Sequence, residues 1–184
     1  MTLPERTGVR LEDYLALPET NLPMELIDGK IIEMATPDAL HQDVAGNVFI
    51  FLKLASKTVG GKVYIAPLDV VLDDANVVQP DILWIAPEGA HCVVDETTGR
   101  LRGAPDLVVE VLSPTSGYRD RRTKFRLYEL HGVREYWLVD PREKLITVWT
   151  LRGDRYELLD TYAENETFTS PLVGAVAVAA LFSA

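Results

Sequence analysis

Glu110 stands in PDLVVEVL, residues 105–112, between Val109 and Val111. The run has the composition of a buried strand, and a carboxylate in its middle has no turn to cap. Side chains alternate faces along a strand. Asp106, Val108, Glu110 and Leu112 therefore share one face, and Leu107, Val109 and Val111 the other. Asp106 and Glu110 lie four residues apart, roughly 13 Å along a strand. A small hard cation holds its ligands at about 2 Å, so these two acids cannot grip one ion. Asp106 follows Pro105, a place where Asp commonly caps a turn. Glu110 needs a different partner, and Asp81 supplies one. It opens PDILWIAP, a second run of the same apolar character. Neighbouring strands lie roughly 4.8 Å apart, so pairing the two runs with Asp81 beside Glu110 makes two carboxylates converge. A buried carboxylate pair is costly unless a cation or proton compensates it, and Mg²⁺ suits that role. Asp81 also follows a proline, so turn capping stays open for it.

RDRRTKFR, residues 119–126, is the one strongly basic stretch. If it is helical, Lys124 lies one turn before Tyr128 and beside Phe125, at the edge of the inward face. Its amine could then reach Glu110, orient or activate a water, and balance phosphate charge. Arg119, Arg121 and Arg122 could meet phosphates from the outer turn. A solvated basic face paired with nearby acids accounts for them equally well. Glu25, in PMELIDGK, shares a strand face with Ile27, away from Met24 and Leu26. A structural role is open to it. His41 begins a long helix on its apolar stripe, where a core or capping histidine is the simpler reading. His91-Cys92 has no matching Cys/His cluster, so zinc is not expected. Ser113, Thr115 and Ser116 offer hydroxyl caps for the basic helix. No G-x-S-x-G, P-loop or G-x-G-x-x-G fingerprint is present.

The elements that must position these residues read as follows. VRLEDYLAL suggests a short amphipathic helix. MELIDGKIIEM reads as a hairpin about Asp28-Gly29, the pair favoured in type I′ turns. HQDVAGNVFIFLKLASKTVGG is the clearest helix, with His41, Val44, Ala45, Val48, Leu52 and Ala55 on one stripe and Gly60-Gly61 as its stop. KVYIAPLDVVL, PDILWIAP, PDLVVEVL, REYWLVDP and KLITVWTLRGDRYELLDTY read as strands, with turns at Asp140-Pro141 and around Arg152–Asp154. YRDRRTKFRLYELHGV reads as a helix ended by Gly132, and HCVVDETTGRLRG as a loop. The order predicts an α/β sandwich, a mixed sheet flanked by helices, rather than a doubly wound sheet.

The chain's 184 residues suit one domain with a sizeable core. Hydrophobic residues at 47% and charged residues at 25% fit a globular chain and exclude a disordered one. A net charge of −10 argues against loose binding of polyanions, so a nucleic-acid ligand requires a local basic patch or a bound metal. The single cysteine, Cys92, allows no intrachain disulfide and fits a reducing cytoplasm. The N-terminus has early acids and no apolar core of a secretory signal. The apolar PLVGAVAVAALFSA is shorter than the ~20 residues of a membrane helix. It is expected to be a buried terminal strand or an oligomer contact.

Together, PMELIDGKIIEM, His41, VVQPDILWI, APDLVVEVLSPTS and the TKFRLYELHGVREYWLVDP run resemble the Uma-type family of restriction-endonuclease-like proteins. The resemblance runs from about Leu11 to the terminus. It implies a PD-(D/E)xK nuclease fold, with Asp81 as the first acid of the core motif, Glu110 as the second and Glu25 as an early acid. His41 matches a recurrent position. In the wider fold a lysine follows the second acid by two residues. Leu112 stands there instead, and the resemblance moves the lysine role to Lys124 in the following helix. It further implies an endonuclease dependent on Mg²⁺ (or Mn²⁺), with Asp81 and Glu110 as metal ligands and nucleic acid, DNA first, as substrate. A homodimer is expected, because two related sites most easily cut both strands. A second class, a binding or assembly module without catalysis, is suggested by the net charge and the missing in-strand lysine. A third is hydrolysis of a small phosphorylated molecule. No separate DNA-reading domain is evident.

Overall fold

In the computed structural model residues 8–18, 22–113 and 118–183 are described, without the side chains of 118–121. The first elements are α1 (Leu11–Leu15), β1 (Met24–Ile27) and β2 (Lys30–Glu33). Asp28 and Gly29, between the two strands, both have positive φ, as a type I′ turn requires. The long helix α2 (Ala39–Val59) follows, then β3 (Lys62–Ile65), β4 (Val70–Asp73), β5 (Asn76–Val78) and β6 (Ile82–Ile85). The short β7 (Val93–Val94) and β8 (Leu101–Arg102) precede β9 (Leu107–Val111), α3 (Tyr118–His131) and β10 (Glu135–Asp140). The chain ends with β11 (Leu145–Arg152), β12 (Arg155–Ala163), β13 (Thr167–Ser170), β14 (Gly174–Ala177) and α4 (Ala179–Phe182).

The strands form two large sheets instead of the one expected. One has the order β2-β1-β5-β4-β8-β7, the other β12-β11-β10-β9-β6-β3, and β13-β14 is a separate hairpin. Both large sheets are mixed. β9 and β10 are parallel and joined through α3, while β6 pairs antiparallel with β9. The second sheet comes from two departures from the sequence reading. KVYIAPLDVVL divides at the cis Ala66–Pro67 bond into β3 and β4, which join different sheets. HCVVDETTGRLRG is not a plain loop. Val93-Val94 pairs with Leu101-Arg102 across a turn in which Asp95 accepts from the Thr97 and Thr98 amides.

The central sheet is covered on both faces, which explains its continuous apolar strands. On one face, Leu107, Val109, Val111, Ile82 and Trp84 pack against Val44, Ala45, Val48 and Leu52 of α2. On the other, Val108, Leu83 and Tyr136 meet Leu127 and Tyr128 of α3 and Ile27, Val70 and Val78 of the first sheet. The apolar C-terminus lies inside the first of these cores, where Val176, Val178 and Leu181 are fully buried. It is therefore a core hairpin and helix within the chain, with Ala175, Ala177, Ala179 and Ala180 on the exposed side. Among the described residues, no helix is long and apolar enough to cross a membrane.

Candidate active site

The register of the central sheet decides where the acids go. Ile82 pairs with Val109 and Leu83 with Val108. Extending that antiparallel register by one residue puts Asp81 opposite Glu110. Both then point to the face that carries Val108 and Leu83. β6 begins at Ile82, so Asp81 leaves the ladder, and its Oδ2 accepts from the Val111 amide at 2.8 Å. The same oxygen lies 3.1 Å from His41 Nε2. His41 reaches it because α2 starts at that end of the sheet. Asp38 caps the helix by accepting from the His41 amide at 2.9 Å.

Lys124 stands on α3 over the same spot. Its Nζ lies 2.9 Å from Glu110 Oε1 and 2.8 Å from Glu25 Oε1. Glu110 belongs to the central sheet and Glu25 to β1 of the other, so one ammonium joins the two. Glu25 shares the inward face of β1 with Ile27, while Met24 and Leu26 face the α1 side. Its carboxylate also accepts from the Gln79 amide at 2.8 Å. The Tyr128 hydroxyl, one turn after Lys124, donates to Glu110 Oε1 at 2.6 Å. The sequence reading placed Tyr128 on the inward face without assigning it a role; its spacing from Lys124 was the available signal.

The group is deeply seated. Side-chain exposure is 1% for Glu25, 7% for Lys124, 12% for Glu110 and 20% for Asp81. Burial pushes the Glu110 carboxyl up to about 7 against the pull of Lys124, with Asp81 and Glu25 adding to the rise. Burial disfavours the Lys124 ammonium, but Glu110 and Glu25 hold its pKa above the ordinary lysine range. His41 is likewise disfavoured by burial yet raised by its contact with Asp81. Three carboxylates thus face one lysine, an excess of negative charge that a cation would relieve.

Asp81, Glu110, Lys124 and His41 all line one cleft of about 730 Å³. Glu25 lies behind Lys124. The other expected residues lie elsewhere. Asp106 is buried at the far end of β9, where it accepts from the Ala86 amide and from Arg134 and straps strands together. Arg122 is exposed and precedes Lys124 by two residues, about 200° round a helix, so it turns away from the cleft. The side chains of Arg119 and Arg121, with Thr115 and Ser116, lie outside the described residues. Burial pushes the Cys92 thiol up to about 12, which leaves it inert. Among the described residues, no three His, Cys, Asp or Glu side chains form a ready-made metal cluster.

The chain fits known proteins at the level of fold and family. A putative nuclease belonging to DUF820 from Anabaena variabilis ATCC 29413 has the same fold, with a TM-score of 0.77 at 23% identity. The match covers 95% of this chain and 97% of that one. No curated protein matches. The profile of the Uma2 family, described as "Putative restriction endonuclease", matches residues 11–180. A match over that much of the chain makes this protein a member of the Uma2 family.

Proposed function

We propose that the protein is a divalent-metal-dependent endonuclease that hydrolyses phosphodiester bonds in nucleic acid at the Asp81/Glu110 cleft. The supporting observation is the convergence of Asp81, just before β6, Glu110 of β9 and Lys124 of α3 on one recessed cleft. The donor set fits Mg²⁺ or Mn²⁺. Among the described residues, Asp81 and Glu110 each make their contacts through one oxygen, Oδ2 and Oε1. The second oxygen of each remains to hold a cation. Mg²⁺ commonly binds one or two carboxylates and completes its shell with water and phosphate, so a third side-chain ligand is not required. When bound, the metal would supply Lewis-acid polarisation of the phosphate and charge stabilisation at the leaving oxygen.

The chain's own residues do the rest. Lys124 has three N–H donors. Two go to Glu25 and Glu110, and the third can orient a water or hold a phosphate oxygen. Its raised pKa keeps it an ammonium at neutral pH, so it positions the water and does not deprotonate it. His41 and the Val111 amide fix the Asp81 carboxylate. The water oxygen bonds to phosphorus as the bond to the leaving ribose oxygen breaks. One water proton goes to solvent, and the leaving oxygen takes one up. A two-fold dimer would place two such sites on a duplex.

The test is cleavage of supercoiled DNA with Mg²⁺ or Mn²⁺. Glu110→Ala and Asp81→Ala should each lower the rate by at least about a hundredfold. Equal cleavage by wild type and Glu110→Ala would overturn the assignment. One observation favours a catalytically silent module: Lys124 already gives Glu110 a counter-charge. On that reading, calorimetric titration with Mn²⁺ shows no binding and no substrate is cut.

A further inference from the structure

The cleft also bears on which form of nucleic acid enters it, and this inference rests on the nuclease reading above. Beyond its charged floor the cleft is lined mainly by apolar side chains, with Thr36, Gln42, Gln79 and Ser113 among them. Ile32, Met34 and Pro37 form one wall, and Pro67, Leu112 and Leu138 line it elsewhere. Among the described residues, Lys124 is the only lysine or arginine that lines it, and it is already ion-paired. Duplex binding depends on neutralising several phosphates along the backbone, and the described lining, with its one ion-paired lysine, does not do that. The volume, about 730 Å³, lies within the range of small-ligand pockets. It has room for a nucleotide or two.

We infer that the cleft takes an unpaired nucleotide. Its base would lie against the apolar walls, and its phosphate would come down to Asp81, Glu110 and Lys124. A base in an intact duplex is held in the stack. It must be extruded before it can reach such walls, and extrusion is least costly where the base is mismatched or already single-stranded. Bases of every kind present an apolar face, so this contact selects unpaired strand without selecting sequence. DNA and RNA share this chemistry.

The experiment uses end-labelled 40-mers, as DNA and as RNA, with Mn²⁺. Each is presented as a single strand, as a blunt duplex, and as a duplex with a central unpaired run. Cleavage should fall in the unpaired strand, at least about tenfold faster than in the blunt duplex. A duplex cut as fast as the single strand would overturn the inference and leave the nuclease reading intact. If nothing is cut, the nuclease reading fails, and fluorescence anisotropy in Ca²⁺ decides the inference. Single-strand binding at least tenfold tighter sustains it, and equal or weaker binding overturns it. Met34→Ala should raise KM for the single strand about fivefold or more. An unchanged KM for the single strand would also count against the inference.

Discussion

At the scale of residues, the site is a set of charges that hold one another in place. Tyr128 is the member with the cleanest test. Its hydroxyl donates to Glu110 Oε1, while its ring packs on Tyr136 with centroids 5.4 Å apart. Tyr128→Phe keeps the ring and removes the donor. Groups that orient a metal-binding carboxylate typically contribute 10- to 100-fold in affinity. On the proposed function, Mn²⁺ affinity by calorimetry should fall by about tenfold with the fold unchanged. Unchanged affinity would remove Tyr128 from the site. Sequence alone brought out Glu110, because a mid-strand acid between valines has no local explanation. Asp81 followed from an assumed register. The Gln79 amide that holds Glu25 was not legible, because nothing local to either residue indicates that β1 and β5 lie side by side.

At the scale of elements, periodicity exposed the long helix and the buried strands, since their apolar spacing is set by the cores they enter. The two-sheet arrangement was hidden. Its short strands β5, β7 and β8 have two or three residues each, too few to show a period. The α2–β3 junction tests how closely the elements meet. Gly61 has φ +88°, and a Cβ there would overlap the Ile85 carbonyl oxygen and the Trp84 indole. Gly61→Ala should therefore cost at least about 2 kcal/mol in urea unfolding. Gly46, inside α2, has nothing within 4 Å of an added Cβ. Gly46→Ala should stabilise by about 0.5–1 kcal/mol. The same substitution thus changes sign between junction and helix interior, and equal effects would contradict this packing.

At the scale of the whole molecule, buried charge sets the response to pH. Glu135 is fully buried on β10, accepting from Trp137 Nε1 at 2.9 Å and from the Ser170 hydroxyl at 2.7 Å. It thereby ties the C-terminal hairpin to the central sheet. Burial holds its carboxyl above the ordinary glutamate value, against those two hydrogen bonds. The unfolded chain therefore loses this proton at lower pH than the fold does. Its contribution to stability is complete below about pH 4.5 and is lost as pH rises through the folded value. Glu135→Gln cannot titrate. The advantage of wild type over this variant in thermal unfolding should shrink from pH 4 to pH 8, and a constant or growing gap would contradict the assignment. The Lys124 bridge has a consequence for the order of folding. Glu25 is almost wholly buried, and its counter-charge is carried by a helix far downstream in the chain. While the chain is being made, β1 can pair with β2 at once, but the two sheets cannot close over Glu25 until α3 has emerged. Glu25 and Glu110 thus gain their shared counter-charge in one event, the docking of α3.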